Sequence, residues 1–162
     1  MRKFLLIFLV LIMSLGVISC SKNENPTEIE NFYVSIDVKD YGEITALIRA
    51  DIAPVTAANF KTLVESGFYD GLTFHRIMEG FMIQGGDPEG TGYGGSDNKI
   101  FGEFEYNGFE NTLSHVRGTI SMARSKQYNS ASSQFFIVQK DSTYLDGQYA
   151  AFGTVLSGME TV

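Results

Sequence analysis

One guanidinium, two imidazoles, a glycine-rich run and a single thiol are the groups in this sequence best placed to do chemistry. Gly90-Thr91-Gly92-Tyr93-Gly94-Gly95 fits the G-x-G-x-x-G pattern that cradles phosphates on backbone amides. A dinucleotide site also needs a strand before the run and an amphipathic helix after it. Here Ser96-Asp97-Asn98-Lys99 follows, and Asp87 and Glu89 would repel phosphate, so the run reads as a turn-rich loop. His75 and His115 have no His or Cys partner at i+2, i+3 or i+4, and no G-x-S-x-G elbow frames a serine nucleophile. Metal and nucleophilic chemistry are therefore set aside. Arg76 is a permanently charged, planar donor flanked by Phe74 and Ile77, shortly before Phe81. Taken alone it reads as a strand-edge charge.

The elements that must carry these groups are mostly strands. Phe32, Val34, Ile36 and Val38 alternate with Tyr33, Ser35, Asp37 and Lys39, and a second alternating run covers residues 44–49 after Asp40-Tyr41-Gly42. This predicts a β-hairpin. Pro54, followed by Ala57, Phe60, Leu63 and Val64 and then Gly67, predicts a helix over residues 54–66. Short strands are expected over residues 73–78, 82–84, 118–123, 133–138 and 150–155, with glycine-rich loops between them. The whole reads as an antiparallel barrel or sandwich with one helix.

Composition narrows the function. The 162 residues carry a formal charge of −7 and a sequence pI near 4.7, which argues against nucleic acid as a partner. A single Cys excludes a disulfide framework and a thiolate metal cluster. That Cys closes an export signal. Arg2 and Lys3 precede an apolar run over residues 4–18, too short to span a bilayer, and Val17-Ile18-Ser19-Cys20 resembles a bacterial lipobox. The resemblance implies a signal peptide over residues 1–19, lipidation of Cys20, and a polar tether over residues 20–31. The protein is then expected to be anchored to a bacterial membrane and to face outside the cytoplasm. A folded domain is expected over residues 32–162.

Five blocks resemble the signature of the cyclophilin peptidyl-prolyl isomerases, in the family's order. They are Phe74-His75-Arg76-Ile77 with Phe81-Met82-Ile83-Gln84-Gly85-Gly86-Asp87; Gly118-Thr119-Ile120-Ser121-Met122-Ala123; Ser133-Gln134-Phe135-Phe136-Ile137; and Leu145-Asp146-Gly147-Gln148-Tyr149-Ala150-Ala151-Phe152-Gly153. The first two form adjoining blocks, and the set covers nearly everything from residue 32 to residue 162. The resemblance implies a mainly β fold, an antiparallel barrel with a capping helix. The family's second helix and closing strand have no counterpart before Val162, so an incomplete domain is expected.

The resemblance also implies the site. Arg76 would donate to the prolyl nitrogen of a twisted amide, and Gln134 would bond the substrate and help orient Arg76. Phe81, Met82, Phe136 and Leu145 would enclose the proline ring, Ala123 and the backbone of Arg124 would hold the peptide beside it, and Tyr149 would border the pocket. Rotation about an amide makes and breaks no covalent bond, so no cofactor is expected. The expected partners are proline-containing polypeptides, bound by a monomer. Tyr144 stands where many eukaryotic members carry Trp, which is expected to weaken cyclosporin binding. Arg124 replaces an Asn whose backbone makes the family's contact, so its side chain is expected to matter little. Two other readings remain open from the residues: a proline-segment binding module or chaperone without turnover, and a carbohydrate-binding β-domain using Tyr93 and Tyr106.

Overall fold

The computed structural model describes residues 30–162, so the expected signal segment and Cys20 lie outside the described residues, as does the tether up to residue 29. Seven strands form one antiparallel sheet: β1 (Phe32–Val38), β2 (Gly42–Ile48), β3 (Arg76–Met78), β4 (Met82–Gly85), β5 (Thr119–Met122), β6 (Phe135–Val138) and β7 (Ala151–Ser157). Their order is β1-β2-β7-β5-β6-β4-β3, with β1 and β3 at the edges of a half-barrel. The expected hairpin is present, paired from Phe32 opposite Ile48 to Val38 opposite Gly42.

Among the described residues one α-helix, α1 (Pro54–Glu65), packs against the main core on one side of the sheet. Pro54 starts it in the first turn, where a missing N–H costs nothing. No nearby side chain caps it. Glu103, fully buried, does so from far along the chain: its two carboxylate oxygens accept from Val55 N at 2.9 Å and Thr56 N at 2.8 Å. The other end closes at Gly67 (φ 71°), with Phe68 N donating to Leu63 O and Gly67 N to Val64 O, the paired bonds of a left-handed helix stop. Phe60 projects from α1 into the sheet, its ring 5.1 Å from Phe152 and 5.5 Å from Phe135.

The central strands are buried on both faces. On β6, Phe135 and Ile137 join the main core beneath α1, while Phe136 and Val138 face the other way into a smaller cluster with Met82 and Leu145. This second face carries the site.

Two strands start two or more residues later than the alternation predicted. β3 begins at Arg76, because Phe74 turns inward onto Phe135, 6.1 Å away. His75 therefore precedes the strand. β6 begins at Phe135 because Ser133 spends its hydroxyl on the loops, donating to Gly86 O at 2.7 Å and accepting from Ser96 N at 3.0 Å. Gly86 (φ 83°) allows that approach, since a Cβ there would strike the Ser133 carbonyl.

Candidate functional site

Strand register builds the site as a transverse row. Arg76 on β3 lies opposite Gln84 on β4, Gln84 lies opposite Phe136 on β6, and Phe136 lies opposite Ser121 on β5. Residues opposite one another in a sheet share a face, so a cation, an amide, an aromatic ring and a hydroxyl follow each other across four strands. Met82 joins this face two residues before Gln84.

Beside the row is a cavity of about 180 Å³ lined by Arg76, Phe81, Met82, Gln84, Ala123, Arg124, Phe136, Leu145 and Tyr149. Eight of the nine residues expected at the site line this space, Arg124 among them; the ninth, Gln134, adjoins it across Gln84. The floor is apolar: Met82, Phe136 and Leu145 are buried and pack together. Phe81 stacks on the exposed Tyr144 at the rim, centroids 6.1 Å apart. Arg76 is exposed above this floor, its Nη1 donating to Gln84 Oε1 at 3.3 Å and its Nη2 to Met78 Sδ at 2.9 Å.

Gln134 does not touch Arg76. Its Oε1 accepts from Gln84 Nε2 at 2.8 Å, and its own Nε2 donates to Gly92 O and Gly94 O at 3.1 and 2.8 Å. It lines a second, larger groove of about 480 Å³ that also contains Tyr93, Lys99 and Ser130. The residue bonded to both Arg76 and Gln134 is Gln84, which is not among the nine residues expected at the site. Its spacing of two from Met82 was a usable signal, but its pairing with Arg76 needed the register.

Arg124 also departs from expectation. Its guanidinium bonds Gln148 O twice, at 3.0 and 2.7 Å, and lies 4.6 Å from the Tyr149 ring, 5.0 Å from Phe104 and 5.2 Å from Tyr128. The side chain is therefore a structural part of the wall rather than a bystander.

The glycine-rich run is closed to phosphate for a reason its composition did not disclose. Asp87 is buried and turned inward, where it accepts from Glu89 N at 2.9 Å, Thr91 N at 3.0 Å and Gly92 N at 2.6 Å. Burial pushes its carboxyl up, but the backbone donors of Glu89, Gly92, Gly94 and Thr91 outweigh this and hold it below the usual carboxylate range. The amides that would cradle a phosphate are already taken.

The two histidines part company. The ring nitrogens of His75 are buried with no hydrogen-bond partner among the described residues, and no cluster of metal-ligating side chains occurs among those residues. His115, 1% exposed, lies behind Phe136. Its Nδ1 is 2.7 Å from Asp146 Oδ1 and its Nε2 is 2.9 Å from Ser121 Oγ.

A family model described as cyclophilin type peptidyl-prolyl cis-trans isomerase/CLD matches residues 33–162. The chain is 39% identical over 162 residues to a probable peptidyl-prolyl cis-trans isomerase of Brucella abortus (strain 2308), covering 93% of this chain and 77% of that protein. It is 43% identical over 123 residues to peptidyl-prolyl cis-trans isomerase B of Bacillus subtilis (strain 168), covering 76% and 82%. Among solved structures it is similar to a cyclophilin type peptidyl-prolyl cis-trans isomerase of Cryptosporidium parvum, with a TM-score of 0.74, 35% identity and 82% of each chain covered. A second structure of that protein, in the presence of the dipeptide Ala-Pro, gives a TM-score of 0.73 and 36% identity over 80% of this chain and 82% of that one.

Proposed function

This chain belongs to the cyclophilin-type peptidyl-prolyl cis-trans isomerase family, and from that premise we propose that it serves exported proteins at a membrane surface, with Arg76 acting on the reacting amide. Its activity is cis-trans isomerisation of peptidyl-prolyl bonds. The barrier is about 18–20 kcal/mol, because resonance gives the C–N bond partial double-bond character. Catalysis requires only that the twisted amide be bound better than either planar form.

The observation that carries the assignment is Arg76 held over an apolar floor by Gln84. Met82, Phe136 and Leu145 offer the proline ring an apolar recess, with Phe81 at its edge. Ala123 and the backbone of Arg124 flank the chain preceding the proline, and Tyr149 borders the recess. As the amide twists, the prolyl nitrogen becomes pyramidal and gains a lone pair. A guanidinium already fixed in place donates to that lone pair more strongly than to the planar ground state. The Ala-Pro dipeptide present with the Cryptosporidium relative agrees with proline-containing peptides as ligands of this recess.

Export and anchoring rest on Val17-Ile18-Ser19-Cys20 and the polar stretch after it. A coil of that length spans on the order of 20 Å, enough to hold the domain just off a bilayer. The test is expression of the full chain and of Cys20→Ala in a bacterial host, with labelled palmitate and a protease-coupled proline-peptide assay. The expected result is label and isomerase activity in the membrane fraction, with Cys20→Ala active but unlabelled and released. Absence of label on the unaltered chain overturns the anchor. Peptide binding without turnover overturns the enzymatic role in favour of a binding module.

A further inference from the structure

We infer that His115, clamped by Asp146, is a positioning residue for the proline recess, holding the ring of Phe136 from behind. The inference rests on the isomerase reading of that recess and adds a residue that does not line it.

Three rings close on one another here. His115 stacks on Phe136 with centroids 6.0 Å apart and planes 18° apart. Tyr149 meets Phe136 edge-on at 5.9 Å and His115 edge-on at 6.5 Å. Phe136 and Tyr149 line the cavity, whereas His115 stands behind them and is buried. An imidazole in that position fixes its neighbours only if it is itself fixed, and both of its nitrogens are. Asp146 can only accept, so Nδ1 carries the proton and Nε2 is left to accept from the Ser121 hydroxyl. Ser121 is the last member of the row that begins at Arg76, so this pair anchors the far end of the row.

Asp146 does more than hold the ring. The same carboxylate accepts from Ser114 Oγ at 2.6 Å and from His115 N at 2.7 Å. It immediately follows Leu145, another wall of the recess. One carboxylate thus ties the ring behind Phe136 to the segment that carries Leu145. Burial lowers the proton affinity of His115 more than Asp146 raises it, so the imidazole is neutral at neutral pH. The titratable groups packed on it are Asp146 and Tyr149, with the Arg124 guanidinium beyond Tyr149.

The order Asp146–His115–Ser121 resembles that of a serine nucleophile and its base, but Ser121, at the end of the row, is fully buried and offers no surface to a substrate. The arrangement holds a shape rather than moving a proton. Because the proline ring is gripped in the ground state and the transition state alike, loosening Phe136 should weaken uniform binding.

The experiment is a double-mutant cycle on the full chain, reading both isomerisation kinetics and the Kd of a proline peptide. Asp146→Ala, which leaves the His115 ring in place but unclamped, should raise KM and Kd about 5-fold with kcat within about 2-fold. Asp146→Asn keeps an acceptor for Nδ1 and should restore KM and Kd to within about 2-fold of the unaltered chain. In the Phe136→Ala background, Asp146→Ala should cause a further loss of less than about 2-fold, through Leu145 alone, because the ring it positions is gone. Unchanged KM and Kd in Asp146→Ala, or a loss that multiplies with that of Phe136→Ala, overturns the inference. If the unaltered chain binds peptide without isomerising it, the isomerase reading fails while the cycle on Kd still decides this one. Failure to bind overturns both.

Discussion

Gln84 Nε2 donates to Gln134 Oε1 across 2.8 Å, and this bond joins the exposed guanidinium of Arg76 to the glycine-rich loop. On one side of it Gln84 Oε1 accepts from Arg76, and on the other Gln134 Nε2 holds the carbonyls of Gly92 and Gly94. The amide chain is directional, since each carboxamide accepts at one end and donates at the other. It brings Gln134 to bear on Arg76 without contact.

Arg76→Ala should lower kcat/KM for a proline peptide by about 100-fold or more, since loss of one preorganised donor to a developing charge costs about 2.7–4 kcal/mol. Arg76→Lys should recover only part of this, because a flexible point charge lacks the planar fork. A protease-coupled assay decides it, and full activity in Arg76→Ala would refute the electrostatic role.

Gln84→Ala breaks the amide chain while leaving the apolar floor intact. The expected outcome is a fall in kcat of about 10-fold with KM nearly unchanged, because Arg76 loses its aim and the proline ring does not lose its recess. An effect confined to KM would contradict this.

Arg124→Ala removes the cation lying over Tyr149 together with two bonds to the Gln148 carbonyl. Peptide affinity should fall about 3-fold or more, consistent with roughly 0.5–1 kcal/mol for a partly exposed cation–π contact. If only the backbone of residue 124 mattered, titration with a proline peptide would show no change.

Stability should decline as the solution is acidified below pH 6.5. His115 has its folded-state pKa lowered, chiefly by burial, so between that value and 6.5 the unfolded chain binds a proton that the folded chain refuses. Protons then favour unfolding, and the loss levels off once the folded imidazole also titrates. Asp87 and Asp146, both held below the usual carboxylate range, add a second loss at lower pH, below about 3.9. Urea unfolding from pH 7 to pH 5 should show the first phase, and His115→Gln should abolish it. The isomerisation step itself should stay level from about pH 6 to 8, since no proton is transferred.

Glu103→Ala should cost about 1–3 kcal/mol in urea unfolding, because a buried N–H (Thr56) and a part-buried one (Val55) at the start of α1 lose their acceptor. A change below about 0.5 kcal/mol would show that the distant cap contributes little.

Much of this protein is legible along the chain because its information is periodic or contiguous. Alternation in residues 32–38 specifies a hairpin strand, Pro54 and Gly67 bracket a helix, and the five motif blocks mark Arg76, Phe136 and Leu145 as neighbours of one recess. What the chain order does not contain is register. Gln84 becomes a partner of Arg76, and Phe136 a neighbour of Ser121, only when β3, β4, β6 and β5 align, because sliding any strand by one residue would turn these side chains to the other face. Burial is likewise a property of the assembled fold. Nothing in their local sequence marks Asp87 and Glu103 as buried, yet each is drawn inside by backbone N–H groups, those of Asp87 on its own loop and those of Glu103 on a helix some fifty residues away. His115 shows the same limit: its ring gains its meaning from Asp146, thirty-one residues on, and from the face of Phe136. Local propensity and pattern are written residue by residue, whereas hydrogen-bond partners for buried polar groups are chosen by tertiary packing.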